Sequence, residues 1–281
     1  MPELPEVENV RIGLEKELVN NSFSSVYIKE NKIISGNGTK RERDTGKEKI
    51  FIEGVVNKKI ISITRRAKNI MINFKDSSLI IIHLKMTGQL IINKEVSKHT
   101  HIIFKLKNGS NLLYNDVRKF GYVLYYKSVA DAERVGHFQK LGLEPFDKNF
   151  TLKYFKENIV KKNKSIKSAL LEQSVVVGCG NIYCDEICFA SKVLPSRNCR
   201  TLNELELGDL YKNIIKILSI AIRMGGSSIS DYKLVNGDSG KYANNHKVYG
   251  KNNTPCVICK NNLEKIIISG RATVFCDFCQ K

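Results

Sequence analysis

Ile103-Phe104-Lys105-Leu106-Lys107-Asn108-Gly109-Ser110-Asn111-Leu112-Leu113-Tyr114 is the segment that sets the fold class of the first half of this chain. Two apolar runs flank Asn-Gly, the strongest short-range signal for an antiparallel hairpin, because both residues tolerate the positive φ such turns demand. Working outward, Ile70, Ile72 and Phe74 alternate with polar residues, and Leu79-Ile80-Ile81-Ile82 is a continuous apolar run. The stretch from Ile50 to Tyr126 therefore reads as successive short strands, and many short antiparallel strands predict a sandwich or flattened barrel.

Before the strands, Val7, Val10, Leu14 and Leu18 recur at helical spacing, and they predict one amphipathic helix whose N-terminal end faces outward. Ser35 to Lys49 is polar, without period, and reads as a mobile loop. Beyond Tyr126, Gly136, Gly142 and Pro145 mark a linker. Helical periodicity follows in four segments, ending with Leu205 to Ile222. Ser174 to Gly180 is glycine-punctuated at Gly178 and Gly180 and, taken alone, reads as the turn of a packed helical hairpin; as a compact double turn it would instead aim Asn181 and backbone N–H groups outward, a pattern suited to phosphate. Gly225-Gly226-Ser227-Ser228 opens a further polar loop running to Tyr249, long enough to be functional.

The 281 residues suffice for about two domains. Their formal charge of +18 destabilises a compact state by self-repulsion, so a polyanionic partner is the natural counterpart. No apolar run approaches the ~18 residues of a membrane span, and no secretory signal is visible. Cysteine usage supports reduced thiols rather than a disulfide framework. Cys256-x2-Cys259 and Cys276-x2-Cys279 have the spacing of two thiolate knuckles, which predicts one structural Zn2+ with no open coordination position. Between them a hairpin with Ser269-Gly270 at its tip would present Arg271. Cys179, Cys184, Cys188 and Cys199 lack paired spacing and read as buried small side chains.

The opening Met1-Pro2-Glu3-Leu4-Pro5-Glu6 admits two readings. Proline near a helix start with acids in the first turn is an ordinary capping pattern. Removal of Met1 would instead leave Pro2 as a secondary amine, with a pKa near about 8 lowered further by the helix dipole, able to condense with an aldehyde-level carbon; Glu3 would be its acid/base partner.

Taken in order, this opening and six further motifs resemble the bacterial formamidopyrimidine-DNA glycosylases. The carriers are Arg65-Arg66-Ala67-Lys68, His83-Leu84-Lys85-Met86-Thr87-Gly88, Asp116-Val117-Arg118-Lys119-Phe120-Gly121, Gly180-Asn181-Ile182-Tyr183, Gly225-Gly226-Ser227-Ser228 and Gly270-Arg271-Ala272-Thr273. The resemblance implies an α+β multidomain fold: an N-terminal helix and antiparallel β-sandwich over 1–133, a linker over 134–150, a helical helix–two-turn–helix domain over 151–242, and a zinc-finger hairpin over 243–281. It implies a bifunctional glycosylase and AP lyase of base excision repair, acting on 8-oxoguanine and formamidopyrimidines in double-stranded DNA through a proline iminium and β,δ-elimination. Pro2, Glu3, Lys68 and Arg271 are the implied catalytic residues. Met86, Arg118 and Phe120 would fill the space left by a flipped nucleotide, while His83, Lys167, Asn181 and Arg271 grip the backbone. Glu6 and Ser228 fall in the pocket for the damaged base. A cytoplasmic monomer is expected.

The sequence departs from the family at Lys260, where glycine is common, at Gly240-Lys241-Tyr242 in place of Gly-Tyr-Phe, and at Lys85, where arginine is frequent. Two other readings compete. An endonuclease VIII-like enzyme for oxidised pyrimidines shares the nucleophile, but its opening usually has glycine where this chain has Leu4. A non-catalytic zinc-ribbon DNA-binding protein would leave Pro2-Glu3 and Lys68 without a purpose.

Overall fold

A computed structural model describes residues 1–35 and 46–281. They fold as two compact units, 1–139 with 225–241 and 140–224 with 242–281.

The first unit opens with α1 (Leu4–Leu18), followed by β1 (Phe23–Ile28), β2 (Ile34–Ser35) and α2 (Lys47–Val55). The strands β3 (Ile60–Arg66), β4 (Asn69–Phe74), β5 (Leu79–His83), β6 (Gly88–Ile92), β7 (Thr100–Leu106), β8 (Asn111–Asp116) and β9 (Tyr122–Tyr126) come next, closed by α3 (Val129–Arg134). They form two sheets, β1-β7-β8-β6 and β2-β9-β5-β4-β3, antiparallel except for the short β2–β9 pair. Phe23, Phe104, Leu112 and Tyr114 from one sheet meet Ile63, Ile72, Ile80 and Ile82 from the other, with Val7, Val10, Leu14 and Leu18 of α1 packed in the same core. The expected sandwich is present, and Gly109 takes φ +88° in the Asn108-Gly109 turn.

Strand β5 shows why its sequence does not alternate. Ile80 and Ile82 face the sandwich interior, whereas Leu79 and Ile81 pack with Leu124, Tyr126 and Ala132 beneath α3. Both faces are covered, so both must be apolar.

Two expectations need correction. Ile50 to Val55 is not strand but the body of α2, whose buried Phe51, Gly54 and Val55 lie at helical spacing; nine residues are too few for that period to stand out. Gly54 is required there, because a Cβ would approach the Tyr125 ring to 2.6 Å. Of the loop expected over 35–49, residues 36–45 lie outside the described residues, and Lys47 to Lys49 form the first turn of α2.

The second unit packs α4 (Leu152–Ile159), α5 (Ile166–Leu171), α6 (Asn181–Ala190) and α7 (Glu204–Arg223) around one apolar core, which includes the four unpaired-spacing cysteines. β10 (Glu264–Ile268) and β11 (Arg271–Phe275) form a hairpin over a smaller core of Phe189, Val248, Leu263 and Val274. Residues 225–241, expected within the helical segment 151–242, belong instead to the first unit.

Candidate active site and nucleic-acid interface

Pro2 and Glu3 lead directly into α1 and are buried, with Pro5 in the first helical turn. Pro5 costs no hydrogen bond there, since first-turn N–H groups have no intrahelical acceptor. Glu6 supplies one of the missing acceptors: its Oε2 receives the Glu3 N–H at 2.8 Å. Its Oε1 receives the Ser227 N–H, also at 2.8 Å. Glu6 is thus 1% exposed and committed on both carboxylate oxygens to backbone donors, rather than standing open to solvent. Ser228 is similarly engaged: its hydroxyl donates to the Tyr232 carbonyl at 2.9 Å and accepts the Gly240 N–H at 2.8 Å.

Lys68 occupies the two-residue turn Ala67-Lys68 between β3 and β4, where Ala67 adopts φ +53°. It is buried, and the backbone register places the next residue, Asn69, opposite His83 at the end of β5. His83 Nδ1 accepts the Lys85 backbone N–H at 3.0 Å, which leaves Nε2 as the proton-bearing nitrogen. Burial, reinforced by Lys85, Lys68 and His137, holds the His83 imidazole down to about 3, so the ring is a neutral donor at physiological pH. Burial and Lys68 likewise lower Lys85, whose ammonium lies 5.5 Å from the Tyr122 ring centre. Cations gathered this closely form a ready receptor for an anion.

Met86, Arg118 and Phe120 are brought together at the surface. Arg118 Nη1 is 2.9 Å from Met86 Sδ, and its guanidinium carbon lies 4.6 Å from the Phe120 ring centre. Met86 is 42% exposed and Phe120 49%, so neither serves as core. The turn beneath them is rigid because of Asp116, which motif spacing alone does not single out. Its Oδ1 accepts the Thr87 hydroxyl at 2.5 Å and the Arg118 N–H at 3.2 Å; its Oδ2 accepts the Gly121 N–H at 2.8 Å and the Tyr114 hydroxyl at 3.4 Å. Gly121 is obligatory, since a Cβ would collide with the Tyr114 hydroxyl. An aspartate opening a turn whose later N–H groups point back at it is a local signal that a sequence can carry.

In the second unit, Asn181 is the first residue of α6, and its buried Oδ1 has no hydrogen-bond partner among the described residues. Arg271 is exposed at the start of β11, next to the Ser269-Gly270 tip, where φ is +48° and +69°. Positive φ at both positions is the type I′ geometry of tight hairpins.

Lys167 departs from its expected grip on a backbone phosphate. It is completely buried, donating to Asp185 Oδ1 at 2.6 Å and to the Ala272 carbonyl at 3.0 Å. The physical reason is Asp185, also completely buried, which would otherwise stand uncompensated; burial pushes its carboxyl up to about 7 against the pull of Lys167. Lys167 therefore reaches Arg271 only through the neighbouring Ala272 carbonyl, helped by Ser168 Oγ at 2.7 Å from Ser269 Oγ.

The sulfurs of Cys256, Cys259, Cys276 and Cys279 all lie within 4.8 Å of one another. Two of the separations are 3.9 Å and 3.4 Å. A tetrahedron with metal–sulfur bonds of about 2.3 Å has edges near 3.8 Å. The Ile258 N–H also points at Cys256 Sγ at 3.4 Å, as befits an acceptor thiolate. The four cysteines thus form a cluster able to hold a metal ion.

A two-sheet sandwich with a proline-glutamate helix start, joined in one chain to a helical unit and a four-cysteine hairpin, defines a narrow class. Family models agree: the formamidopyrimidine-DNA glycosylase N-terminal domain matches residues 1–123, and the H2TH domain of the same glycosylases matches 141–233. The chain belongs to the formamidopyrimidine-DNA glycosylase family. It is 41% identical to the Streptococcus mutans member and 38% identical to that of Ligilactobacillus salivarius, in each case over 100% of this chain and at least 99% of the relative. Among solved structures it matches Lactococcus lactis Fpg in complex with abasic-site DNA (TM-score 0.89, 34% identity, 99% of both chains). It also matches that protein bound to DNA containing N7-benzyl-Fapy-dG (TM-score 0.89, 34% identity, 100% of both chains).

Proposed function

We propose that this protein is a bifunctional DNA glycosylase and AP lyase of base excision repair, acting on oxidised purines in double-stranded DNA. The observation that carries the reading is the exposed Met86–Arg118–Phe120 group on its Asp116-braced turn. A flexible thioether, a guanidinium and an aromatic ring held at the surface have no packing purpose, but suit the void and orphaned partner left by an extruded nucleotide.

In the proposed chemistry, loss of Met1 frees the Pro2 amine. Its lone pair attacks C1′ of the flipped nucleotide, the bond from C1′ to the base breaks, and the base departs with a proton. Glu3 protonates the sugar ring oxygen as the ring opens to the iminium. Removal of a C2′ proton expels the 3′ phosphate, and a second elimination expels the 5′ phosphate. Lys68, with His83 and Lys85 beside it, lies in the cation-rich cluster that would receive DNA phosphate. Asn181 and Arg271 are the corresponding contacts of the second unit, and Lys167 supports Arg271 from behind. Glu6 and Ser228 form the wall of the base pocket by fixing residues 225–241. The four cysteines hold one structural zinc ion, which rigidifies the Arg271 hairpin. These roles divide between the two units, with residues 225–241 serving the first, and a DNA substrate implies work in the bacterial cytoplasm.

Lactococcus lactis Fpg has also been solved with DNA containing an oxidised pyrimidine (TM-score 0.88, 34% identity). Pyrimidine lesions are therefore the informative second substrate. Borohydride trapping on duplexes carrying 8-oxoguanine, an oxidised pyrimidine or an abasic site tests the proposal. A covalent adduct at Pro2 with a preference for 8-oxoguanine is expected; an active protein with intact Met1 in the mass spectrum overturns the mechanism, because an amide nitrogen cannot form an iminium.

A further inference from the structure

The hydrogen bonds around Glu6 join two segments more than 200 residues apart in sequence. On one side, Glu6 Oε2 holds the N–H of Glu3, the residue after Pro2, at 2.8 Å. On the other, Oε1 holds the Ser227 N–H at 2.8 Å. Tyr232 adds a second tie: its hydroxyl lies 3.2 Å from the Glu6 carbonyl and 3.1 Å from the Gly225 carbonyl, one proton shared between two acceptors. Glu6 and Tyr232 are both buried, so neither tie is exchanged for water at little cost.

The contact is built for closeness. A Cβ on Gly226 would lie 2.8 Å from Glu6 Oε1, and Gly226 has φ +78°. A Cβ on Gly240 would collide with the Gly225 carbonyl, so the two ends of the 225–241 segment are pinched together beside Glu6. The Ser227–Lys241 bridge and the Gly240 N–H to Ser228 Oγ bond close the same neck. The segment is thus a loop with one anchored neck, and the anchor is also the clamp on the Pro2–Glu3 turn.

We propose that Glu6 and Tyr232 are positioning residues which couple the placement of the 225–241 loop to that of the Pro2–Glu3 turn. This rests on the proposed function, with Pro2 as the nucleophile and residues 225–241, held by Glu6 and Ser228, as a wall of the base pocket. While a damaged base fills the pocket, the loop has something to close on, and the latch transmits that closure to the amine. When the base is already absent, the loop has no such substrate and the latch matters less. Base excision therefore depends on Tyr232 more steeply than elimination at an abasic site does.

The test compares single-turnover rates of Tyr232→Phe and the unaltered full-length protein on 8-oxoguanine duplex and on preformed abasic duplex. A neutral hydrogen bond is worth about 0.5–1.5 kcal/mol, so the ratio of base-excision rate to lyase rate should fall about three- to tenfold. Equal losses on the two duplexes, or none, overturn the coupling. A second variant, Glu6→Gln, has one acceptor oxygen for two N–H donors. Amide hydrogen exchange at Ser227 or at Glu3 should accelerate in it relative to neighbouring amides, and unchanged exchange at both overturns the latch even if Tyr232→Phe does not fold. Failure of the underlying reading looks different: the unaltered protein itself would give no borohydride adduct on either duplex.

Discussion

Asp116 and Asp185 are both fully buried carboxylates lying behind an exposed arginine, yet they are satisfied in opposite ways. Asp116, in the first unit, is held by dipoles alone among its bonded partners: two backbone N–H groups and two hydroxyls converge on it. Asp185, in the second unit, is held by the buried ammonium of Lys167 and the Val274 N–H at 3.1 Å. Converging dipoles fix a turn within a few residues of the carboxylate, which is what the Arg118–Phe120 tip needs. An ammonium on a long stem can instead tie α5 to a hairpin about a hundred residues later. The first device gives local precision, the second long-range docking, and each has its own way of failing.

The largest effect is expected where a charge loses its partner. Lys167→Ala leaves Asp185 buried alone and should lower unfolding free energy by about 3–5 kcal/mol. Lys167→Met combined with Asp185→Leu removes both charges and should cost less than the single change, although the Ala272 carbonyl and Val274 N–H lose their partners. Denaturant unfolding of the three proteins checks this; a loss below about 1 kcal/mol in Lys167→Ala would mean that the pair is hydrated.

Removing the dipole-held carboxylate should cost less, because no full charge is left without a partner and one of its four donors, the Arg118 N–H, belongs to an exposed residue. Asp116→Ala is expected to destabilise by about 2–3 kcal/mol. It should also loosen the Arg118–Phe120 turn, so that discrimination between opposite bases declines in step. A variant as stable and as selective as the parent would remove Asp116 from its organising place.

How much of this is legible in sequence follows from the range of each interaction. The sandwich and the long helices are readable because periodicity is local, and the four cysteines because metal spacing is. Helix α2 is not, since Phe51, Gly54 and Val55 mark too short a period. The burial of Lys167 is hidden for a different reason: in a chain with 46 basic residues, one lysine declares itself internal only through Asp185 and Ala272, the latter far away in sequence. Tyr232 is hidden likewise, because its acceptors are the backbone carbonyls of Glu6 and Gly225.

The exposed arginines offer a finer contrast. Arg271 is proposed to neutralise a phosphate, so Arg271→Ala should weaken every lesion duplex alike and lower the salt slope of binding by about one. Arg118 is proposed to meet the orphaned base, where a good pair is worth about 1–3 kcal/mol. Arg118→Ala should therefore compress the preference for cytosine over adenine opposite 8-oxoguanine, with less change in salt slope. Affinity measured against salt for both opposite bases decides; an untouched cytosine-to-adenine ratio makes Arg118 another backbone contact.

The smallest effect concerns how the first unit keeps a titratable ring neutral, the counterpart of the charged pair in the second. His83 is depressed to about 3 in the folded protein, by burial first and then by Lys85, Lys68 and His137, while its unfolded value is about 6.5. Between those limits the unfolded chain binds the extra proton, so the stabilising contribution is complete above pH 6.5 and is lost as pH falls towards 3. The slope from this one group is at most about 1.4 kcal/mol per pH unit. His137 is also lowered and adds to the parent's slope, so the comparison must be a difference. Asn69, Tyr122 and the Lys85 backbone border the ring, and none of them supplies a carboxylate. Denaturant unfolding of His83→Asn against the parent should show a shallower decline from pH 6.5 to 4, and ring nitrogen shifts in the parent should report a neutral imidazole at pH 5. A His83 that titrates near 6.5 would mean that solvent or an anion reaches the Lys68–Lys85 cluster in the free protein, and the cation-rich receptor would then be partly neutralised before any DNA arrives.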